Sequence, residues 1–260
     1  AEKNIMGYRQ MFIVSKENYF KDNPNLIFID EARYPFDKKM IAEHAPAGRA
    51  AWYYHQFLKL YFLFVAKKET LENVLIIDAD TMFIKKTKFF EGKTPLYNVD
   101  IGHHQPYYEI LERLYGFGKQ SVEYSGTTHH MLFQKKYMKE ILTIRGKNKV
   151  NDFWEIVMNN INTKTESGFS EQDLYFNYML KYHPKKIKIR KMNFMNFPYY
   201  NKFWISIFSF LRYNYLSSHE YLRKERFSAA KRLVIEFLTA TRAKRIIKEA
   251  LIKLKIIKQR

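Results

Sequence analysis

A helical pattern, a short apolar run and two closely spaced aspartates follow one another in the first third of this chain. Residues 48–67 have the length and periodicity of a helix, and Val74–Ile77 is continuously apolar, as in strands buried on both faces of a parallel sheet. Similar runs lie upstream at 11–14 and 26–29. A strand, helix, strand order predicts an α/β fold with ligands beyond the carboxyl ends of the strands.

The same alternation continues downstream. The segments 127–133, 187–190 and 213–216 are predicted strands, and 171–182 is a predicted helix. Hydrophobic residues make up 47% of the sequence, which is enough for a packed core and excludes global disorder. The chain has no cysteine, which excludes a disulfide framework, a thiolate metal site and a cysteine nucleophile.

Positive charge is concentrated near the C-terminus. The 260 residues carry a net charge of +19, and residues 226–260 contain eleven Lys or Arg against two acids, a net +9. We therefore predict one domain over residues 1–225 and a basic tail of amphipathic helices over 226–260. Apolar residues recur among the tail's cations, as in a helix on anionic lipid, so we expect peripheral attachment to the cytoplasmic face of a membrane. Packing of the tail on the body is the alternative, and the aromatic stretch 197–211 is open to the same two interpretations.

Asp78 and Asp80 directly follow the predicted strand Val74–Ile77. On a continuing strand the two carboxylates would point to one face and repel each other. A loop at the end of the strand lets them converge on a divalent cation, which prefers oxygen ligands and often shares its shell with substrate phosphates. An Asx turn that ends the strand is the alternative interpretation.

One face of the predicted helix carries Arg49, Trp52, Gln56 and Lys59, at spacings of 3, 4 and 3. Two cations, an amide and an indole suit a phosphate-rich ligand, although a lone helix with this stripe would more often present it to solvent. The rest of this helix is apolar nearly all round, which predicts burial, and buried cations need partners. A ligand phosphate and Asp78 are the two candidates.

Together, Trp52–Leu60 (WYYHQFLKL) and Leu75–Thr81 (LIIDADT) resemble bacterial D-x-D glycosyltransferases of the GT-A fold that are associated with surface polysaccharides. They are more distantly similar to the hexosyltransferases of lipopolysaccharide. The resemblance covers roughly residues 5–220 and implies a GT-A-like domain with a mixed, mostly parallel central sheet. It also implies a nucleotide-sugar donor and a glycan or lipid-linked acceptor. In such enzymes the second aspartate, here Asp80, binds manganese or magnesium at the donor diphosphate, and the first, Asp78, lies near the donor's ribose or sugar.

The resemblance also directs attention to histidines. His103–Tyr108 and Ser125–Met131 match polar stretches that line the donor and acceptor pocket in the family. Adjacent histidines in a strand point to opposite faces, so at most one of His129 and His130 faces that pocket, and we favour His130 as donor-binding. A hydrogen-bonded core histidine is the alternative. The family usually begins one strand earlier, so we expect that an upstream strand–helix unit precedes this numbering.

A late histidine often completes the metal shell in related GT-A enzymes. His219 follows the predicted strand 213–216, so we predict that it joins Asp78 and Asp80 as a metal ligand. Neutral imidazole suits manganese better than magnesium. A structural histidine is the alternative.

The predicted helix 171–182 begins with Ser170, Glu171 and Asp173. Ser170 followed by Asp173 reads as a capping-box-like start, which explains both without any function. A similar Ser-Glu pair opens the corresponding helix in the family, with the carboxylate on the acceptor side. An inverting transferase needs a carboxylate that takes the acceptor's proton, and we predict Glu171 for this role, with Asp173 as second choice. The sequence leaves open whether the reaction inverts or retains the anomeric configuration.

Three other classes remain as alternatives. A nucleotidyltransferase shares the metal and nucleotide requirements, and a pseudoenzyme could keep the fold and dock on membranes. A non-enzymatic nucleic-acid-binding protein would use the net charge and the aromatic residues. We expect no nucleic-acid partner, because the charge lies in an amphipathic tail and the two aspartates would repel a nucleic acid in the absence of a metal.

Overall fold

The computed structural model describes residues 2–197 and 201–219, which form an α/β structure and confirm the predicted fold class. The predicted tail and the domain boundary at residue 225 lie outside these residues. The chain divides into two compact units that alternate along the sequence. The small unit comprises Ala1–Ile5, Ala79–Thr87 and Met192–Arg260, and the large unit comprises Met6–Asp78 and Lys88–Lys191.

The described residues contain ten strands and seven α-helices. The strands are β1 Met11–Ser15, β2 Leu26–Asp30, β3 Asn73–Ile77, β4 Thr81–Phe83, β5 Phe90–Glu91, β6 Thr94–Tyr97, β7 His130–Gln134, β8 Lys188–Ile189, β9 Phe194–Asn196 and β10 Tyr215–Ser217. The helices are α1 Lys38–His44, α2 Ala50–Val65, α3 Gln105–Tyr115, α4 Lys135–Leu142, α5 Phe153–Asn160, α6 Glu171–Tyr182 and α7 Lys202–Phe210. None of these helices is long and apolar enough to cross a membrane.

The strands pair in four small sheets. Within the large unit β1 and β2 are parallel, β3 and β7 are antiparallel, and β6 pairs antiparallel with β5 and parallel with β8. Within the small unit β10 lies between β4, which is antiparallel to it, and β9, which is parallel. Among the described residues parallel and antiparallel pairs are therefore equal in number, and the mostly parallel central sheet is not confirmed.

Most of the predicted elements are confirmed, with small shifts at their ends. The helix predicted over 171–182 has these bounds, and the one predicted over 48–67 is α2. The strand predicted over 127–133 begins only at His130, because His129 has a left-handed backbone with φ of 63° that an extended strand does not contain.

The core of the large unit packs around α2 and α6. Aromatic side chains dominate it, including Tyr53 and Phe57 on α2 and Tyr175 and Phe176 on α6, all of them fully buried. The burial of α2 on several sides explains its apolar sequence. The same packing brings one face of α2 against the first turn of α6.

Candidate active site

Lys59, on α2, lies between two carboxylates of the large unit. Its Nζ is 2.6 Å from Oδ1 of Asp78, directly after β3, and 2.8 Å from Oε1 of Glu171, the first residue of α6. The side chain of Glu171 is only 2% exposed. Of the two partners that the sequence left open for a buried cation, the structure supplies Asp78, and it adds Glu171.

Burial and charge act against each other in this cluster, which we call the Lys59 cluster (Lys59, Asp78 and Glu171). Burial alone would lower the pKa of Lys59, but the two carboxylates hold it above its usual range. Burial alone would raise the pKa of Asp78, but the Lys59 ammonium holds it below its usual range. Burial raises the pKa of Glu171 against the opposing effect of Lys59. Of the two carboxylates in the cluster, Glu171 is thus the one that accepts a proton more readily.

Two further side chains contact the Lys59 cluster. Gln56 lies one turn before Lys59 on α2, and its Oε1 accepts a hydrogen bond of 3.2 Å from the backbone N–H of Glu171. The backbone of His129 accepts a 2.9 Å hydrogen bond from the N–H of Asp78, and its ring Nδ1 lies 3.6 Å from Oδ2 of Asp78. Both carboxylate oxygens of Asp78 therefore face a nitrogen.

The structure brings His129 to this cluster, whereas from the sequence we favour its neighbour His130. His130 is 3% exposed, and its ring lies edge-on to Phe89 with 5.5 Å between centroids. Burial lowers the pKa of His130 to about 3, so the ring is neutral at physiological pH. The alternation rule for strands fails here because His129 precedes the strand in a left-handed conformation. Donor binding by His130 remains a prediction, which its burial in the core disfavours.

The other end of the predicted α2 face meets an aromatic patch. The guanidinium of Arg49 lies 4.9 Å from the ring centroid of Trp52, and its Nε donates a 2.8 Å hydrogen bond to the carbonyl of Glu166. Trp52 stacks on Tyr107, with 6.4 Å between centroids and 13° between planes. His104, which contacts Tyr107, belongs with it to the polar stretch 103–108. The four residues of the predicted face thus divide into two environments within one unit.

Asp173 is bound in a different way from Glu171. Its carboxylate accepts hydrogen bonds of 2.8 Å from the Gly126 N–H and the Thr127 hydroxyl, and bonds of 3.0–3.1 Å from the Ser125 hydroxyl. Burial raises the pKa of Asp173, and these hydrogen bonds oppose the rise. All of these donors are neutral and belong to one loop. The contacts favour a structural role for Asp173, which anchors that loop to α6.

Gly126 shows how closely the loop approaches α6. A Cβ atom at this position would lie 2.5 Å from Cβ of Phe176 and 2.8 Å from the carbonyl oxygen of Gln172. Neither distance is compatible with a side chain. The loop can reach Asp173 only because residue 126 is glycine.

In the small unit, the pairing of β4 with β10 brings Asp80 and His219 together. Asp80 immediately precedes β4 and His219 follows β10, and Thr81 pairs with Ser217 in the ladder. Oδ2 of Asp80 lies 3.1 Å from Nδ1 of His219, and the Ser217 hydroxyl donates a 3.3 Å hydrogen bond to Oδ1. Both side chains are among those that the sequence predicts as ligands of one metal ion.

The Asp80–His219 pair fits the chemistry of a divalent cation. The two atoms are 3.1 Å apart, which is the distance of a direct hydrogen bond, and an ion held by both side chains would replace this contact. A carboxylate with an imidazole is an acceptable donor set for manganese. No group of three or more acidic or histidine side chains in the described parts of the chain could hold a metal. An ion at this pair would take further ligands from substrate and water. The metal roles of Asp78, Asp80 and His219 all remain predictions, and the carboxylate oxygens of Asp78 face Lys59 and His129.

Comparison with known proteins identifies no family. No family model, curated protein or solved structure matches the chain. A function can therefore be proposed only from the structure, and the two features that we use are the Lys59 cluster of the large unit and the Asp80–His219 pair of the small unit.

Proposed function

We propose that this protein is a metal-dependent glycosyltransferase of the GT-A type. It would move a sugar from a nucleotide-diphosphate sugar to a cell-surface glycan or a lipid-linked acceptor. The observation that carries this proposal is the contact of Glu171 with Lys59 on the α2 face whose sequence resembles these enzymes. The proposal includes peripheral attachment to the cytoplasmic membrane face through residues 226–260.

Glu171 has the properties of a general base in this reaction. An inverting transfer requires a carboxylate that accepts the proton of the attacking hydroxyl group, and a base works best when its pKa is near the operating pH. Burial moves the pKa of Glu171 in that direction. The contact with Lys59 and the hydrogen bond to Gln56 fix the position of this helix turn.

The cations and the metal ligands would act on the donor. Asp80 and His219 would hold manganese or magnesium, which when bound neutralises charge on a leaving diphosphate. Arg49 would bind donor phosphate as well, with Trp52 beside it. Lys59 would exchange part of its contact with Asp78 for the donor, while its contact with Glu171 keeps that side chain in place.

The experiment is a thermal-shift series with UDP-, GDP-, CMP- and dTDP-sugars, each with and without manganese. A ligand at about 100 times its Kd stabilises the folded state by roughly 2.7 kcal/mol, which for this chain length raises Tm by roughly 5–10 °C. We expect a metal-dependent shift with one nucleotide class, lost in Asp80→Ala. The matched control is Asp22→Ala, which removes an exposed aspartate of the large unit and should keep the shift.

Two results would contradict the proposal. One is a shift that manganese and Asp80→Ala both leave unchanged. The other is a shift with oligonucleotides and with none of the nucleotide sugars, which would favour a nucleic-acid-binding protein. A donor class found in this way should then release its nucleotide when incubated with acceptor glycans: UDP, GDP or dTDP from the diphosphate sugars, and CMP from a CMP-sugar.

A further inference from the structure

Helix α7, over Lys202–Phe210, is apolar on two opposite sides. Asn201 caps its first turn by accepting a hydrogen bond from the N–H of Trp204. Trp204, Ile205 and Phe208 pack against the core of the small unit, and Phe208 is 1% exposed. This side fastens the helix to β9 and β10 through the core residues Met195, Phe197, Tyr213 and Leu216.

The other side of α7 presents aromatic rings to solvent. Phe203 is 63% exposed and Phe210 is 85% exposed. Seven positions apart, they lie about 20° from each other around the helix axis and about 10 Å apart along it. Exposed apolar side chains grouped on one face are informative because they commonly mark an interaction surface. We call this surface the Phe203–Phe210 face.

The charges around the Phe203–Phe210 face indicate what kind of partner it binds. Lys202 and Arg212 flank it, and the described part of the small unit contains five Lys or Arg against two acids. The tail over 226–260, with its net +9, and a second copy of the chain, with +19, carry the same sign. Both would be repelled by these flanking cations, whereas an anionic bilayer attracts them and accepts aromatic rings at its interface.

We propose that the Phe203–Phe210 face inserts into the interface of an anionic phospholipid membrane. A helix of nine residues is about 14 Å long, so it would lie flat, with its outer rings among the acyl chains and its cations at the headgroups. This attachment is separate from the predicted tail, and it does not depend on the transferase activity. It fixes one rigid surface of the small unit against the bilayer.

The first measurement is co-sedimentation of the full chain with vesicles of phosphatidylcholine and phosphatidylglycerol in equal parts. The double substitution Phe203→Ser with Phe210→Ser should weaken binding at least about tenfold, because the variant no longer transfers two aromatic rings from water into the bilayer. The matched control Tyr19→Ser removes a ring that is 70% exposed in the large unit, and it should bind like the unchanged protein.

A second variant tests insertion directly and does not rely on loss of binding. Phe210→Trp places an indole at the outer face, and its emission should shift to the blue with the same vesicles and be quenched by brominated acyl chains. Tyr19→Trp should show neither change. Difference spectra against the unchanged protein remove the signal of the three natural tryptophans.

Several outcomes would overturn the inference. Equal pelleting of the double variant and the unchanged protein would show that other residues make the contact, and an unshifted Phe210→Trp spectrum on pelleted protein would show the same. Failure of the unchanged protein to bind any anionic vesicle would also overturn it. If the double variant converts an oligomer into a monomer and leaves vesicle binding unchanged, the face joins copies of the chain.

Discussion

Two buried acids in the first turn of α6 are stabilised in opposite ways. Glu171 is paired with the Lys59 ammonium, which it shares with Asp78, whereas Asp173 accepts hydrogen bonds from the neutral donors of residues 125–127. The exposed fractions of the two residues, 2% and 1%, are nearly equal. Burial therefore does not distinguish the acid that we propose as a base from the acid that anchors a loop; the nature of the partner does.

The largest effect on stability should come from removing the shared cation. Lys59→Met leaves Asp78 and Glu171 as neighbouring carboxylates without their common partner. Breaking a fully buried ion pair costs about 3–5 kcal/mol, and because the side chains of Lys59 and Asp78 are 20% and 22% exposed we expect a loss near the lower limit. Urea unfolding should show this loss, while Lys93→Met, at an exposed lysine, should lie within about 0.5 kcal/mol of the unchanged protein. Adding Glu171→Gln to Lys59→Met should restore part of the loss. A purely additive double variant would mean that the two residues are not coupled.

The second test separates chemistry from stability on the Glu171 side. Glu171→Gln keeps the shape of the side chain and leaves Lys59 paired with Asp78, so the free energy of unfolding should change by less than about 1 kcal/mol. Turnover of the donor identified by thermal shift should fall about a hundredfold or more, because the general base is lost. Steady-state rates at saturating donor measure this, and unchanged turnover would remove Glu171 from the catalytic role.

For Asp173 we expect the reverse result, a loss of stability without a loss of donor binding. Asp173→Asn replaces one carboxylate oxygen by an amide NH2 group and removes the negative charge, so at least one of the donors that face Asp173 loses its acceptor, which costs about 1–3 kcal/mol. Urea unfolding measures the loss. The residual folded protein should keep the metal-dependent thermal shift with its donor. If Asp173→Asn is stable but inactive, Asp173 acts in the reaction and Glu171 is not the base.

The smallest effect that we expect is on the pH dependence of stability, and it comes from His130, a buried group that is neutral. Burial lowers the pKa of His130 to about 3, below its unfolded value of about 6.5. Its contribution to stability is complete above pH 6.5 and is lost as the pH falls toward 3. Between pH 6 and pH 5 the unchanged protein should lose up to about 1.4 kcal/mol more than His130→Phe. Equal pH dependence of the two proteins would contradict the burial of a neutral imidazole.

The sequence predicted local elements well because their causes are local. Apolar periodicity identified α2, and the Ser170 cap gave the start of α6. The spacing of residues on α2 placed Gln56 and Lys59 on one face, and both lie at the Lys59 cluster. A buried cation needs a partner, and Asp78 was one of the two candidates. Each of these inferences uses residues that are neighbours in the chain or in one helix.

The features that the sequence did not predict depend on contacts between residues far apart in the chain. No sequence pattern near Asp173 predicts that its hydrogen-bond donors come from Ser125–Thr127, more than forty positions upstream. The left-handed backbone of His129 has no sequence signal, so the choice between the two histidines followed the strand rule and favoured the other one. The apolar run of β3 suggested parallel neighbours, but its described partner, β7, is antiparallel.

The pairing of β4 with β10 has a consequence for synthesis of the chain. Thr81 and Ser217, opposite each other in this ladder, are 136 positions apart in the sequence. At about 5–20 residues per second, a ribosome takes roughly 7–27 s to make the intervening chain. During this time β4 lacks β10, the strand that it pairs with among the described residues. We therefore expect the small unit to fold last, and the nascent chain to depend on chaperones most at this stage.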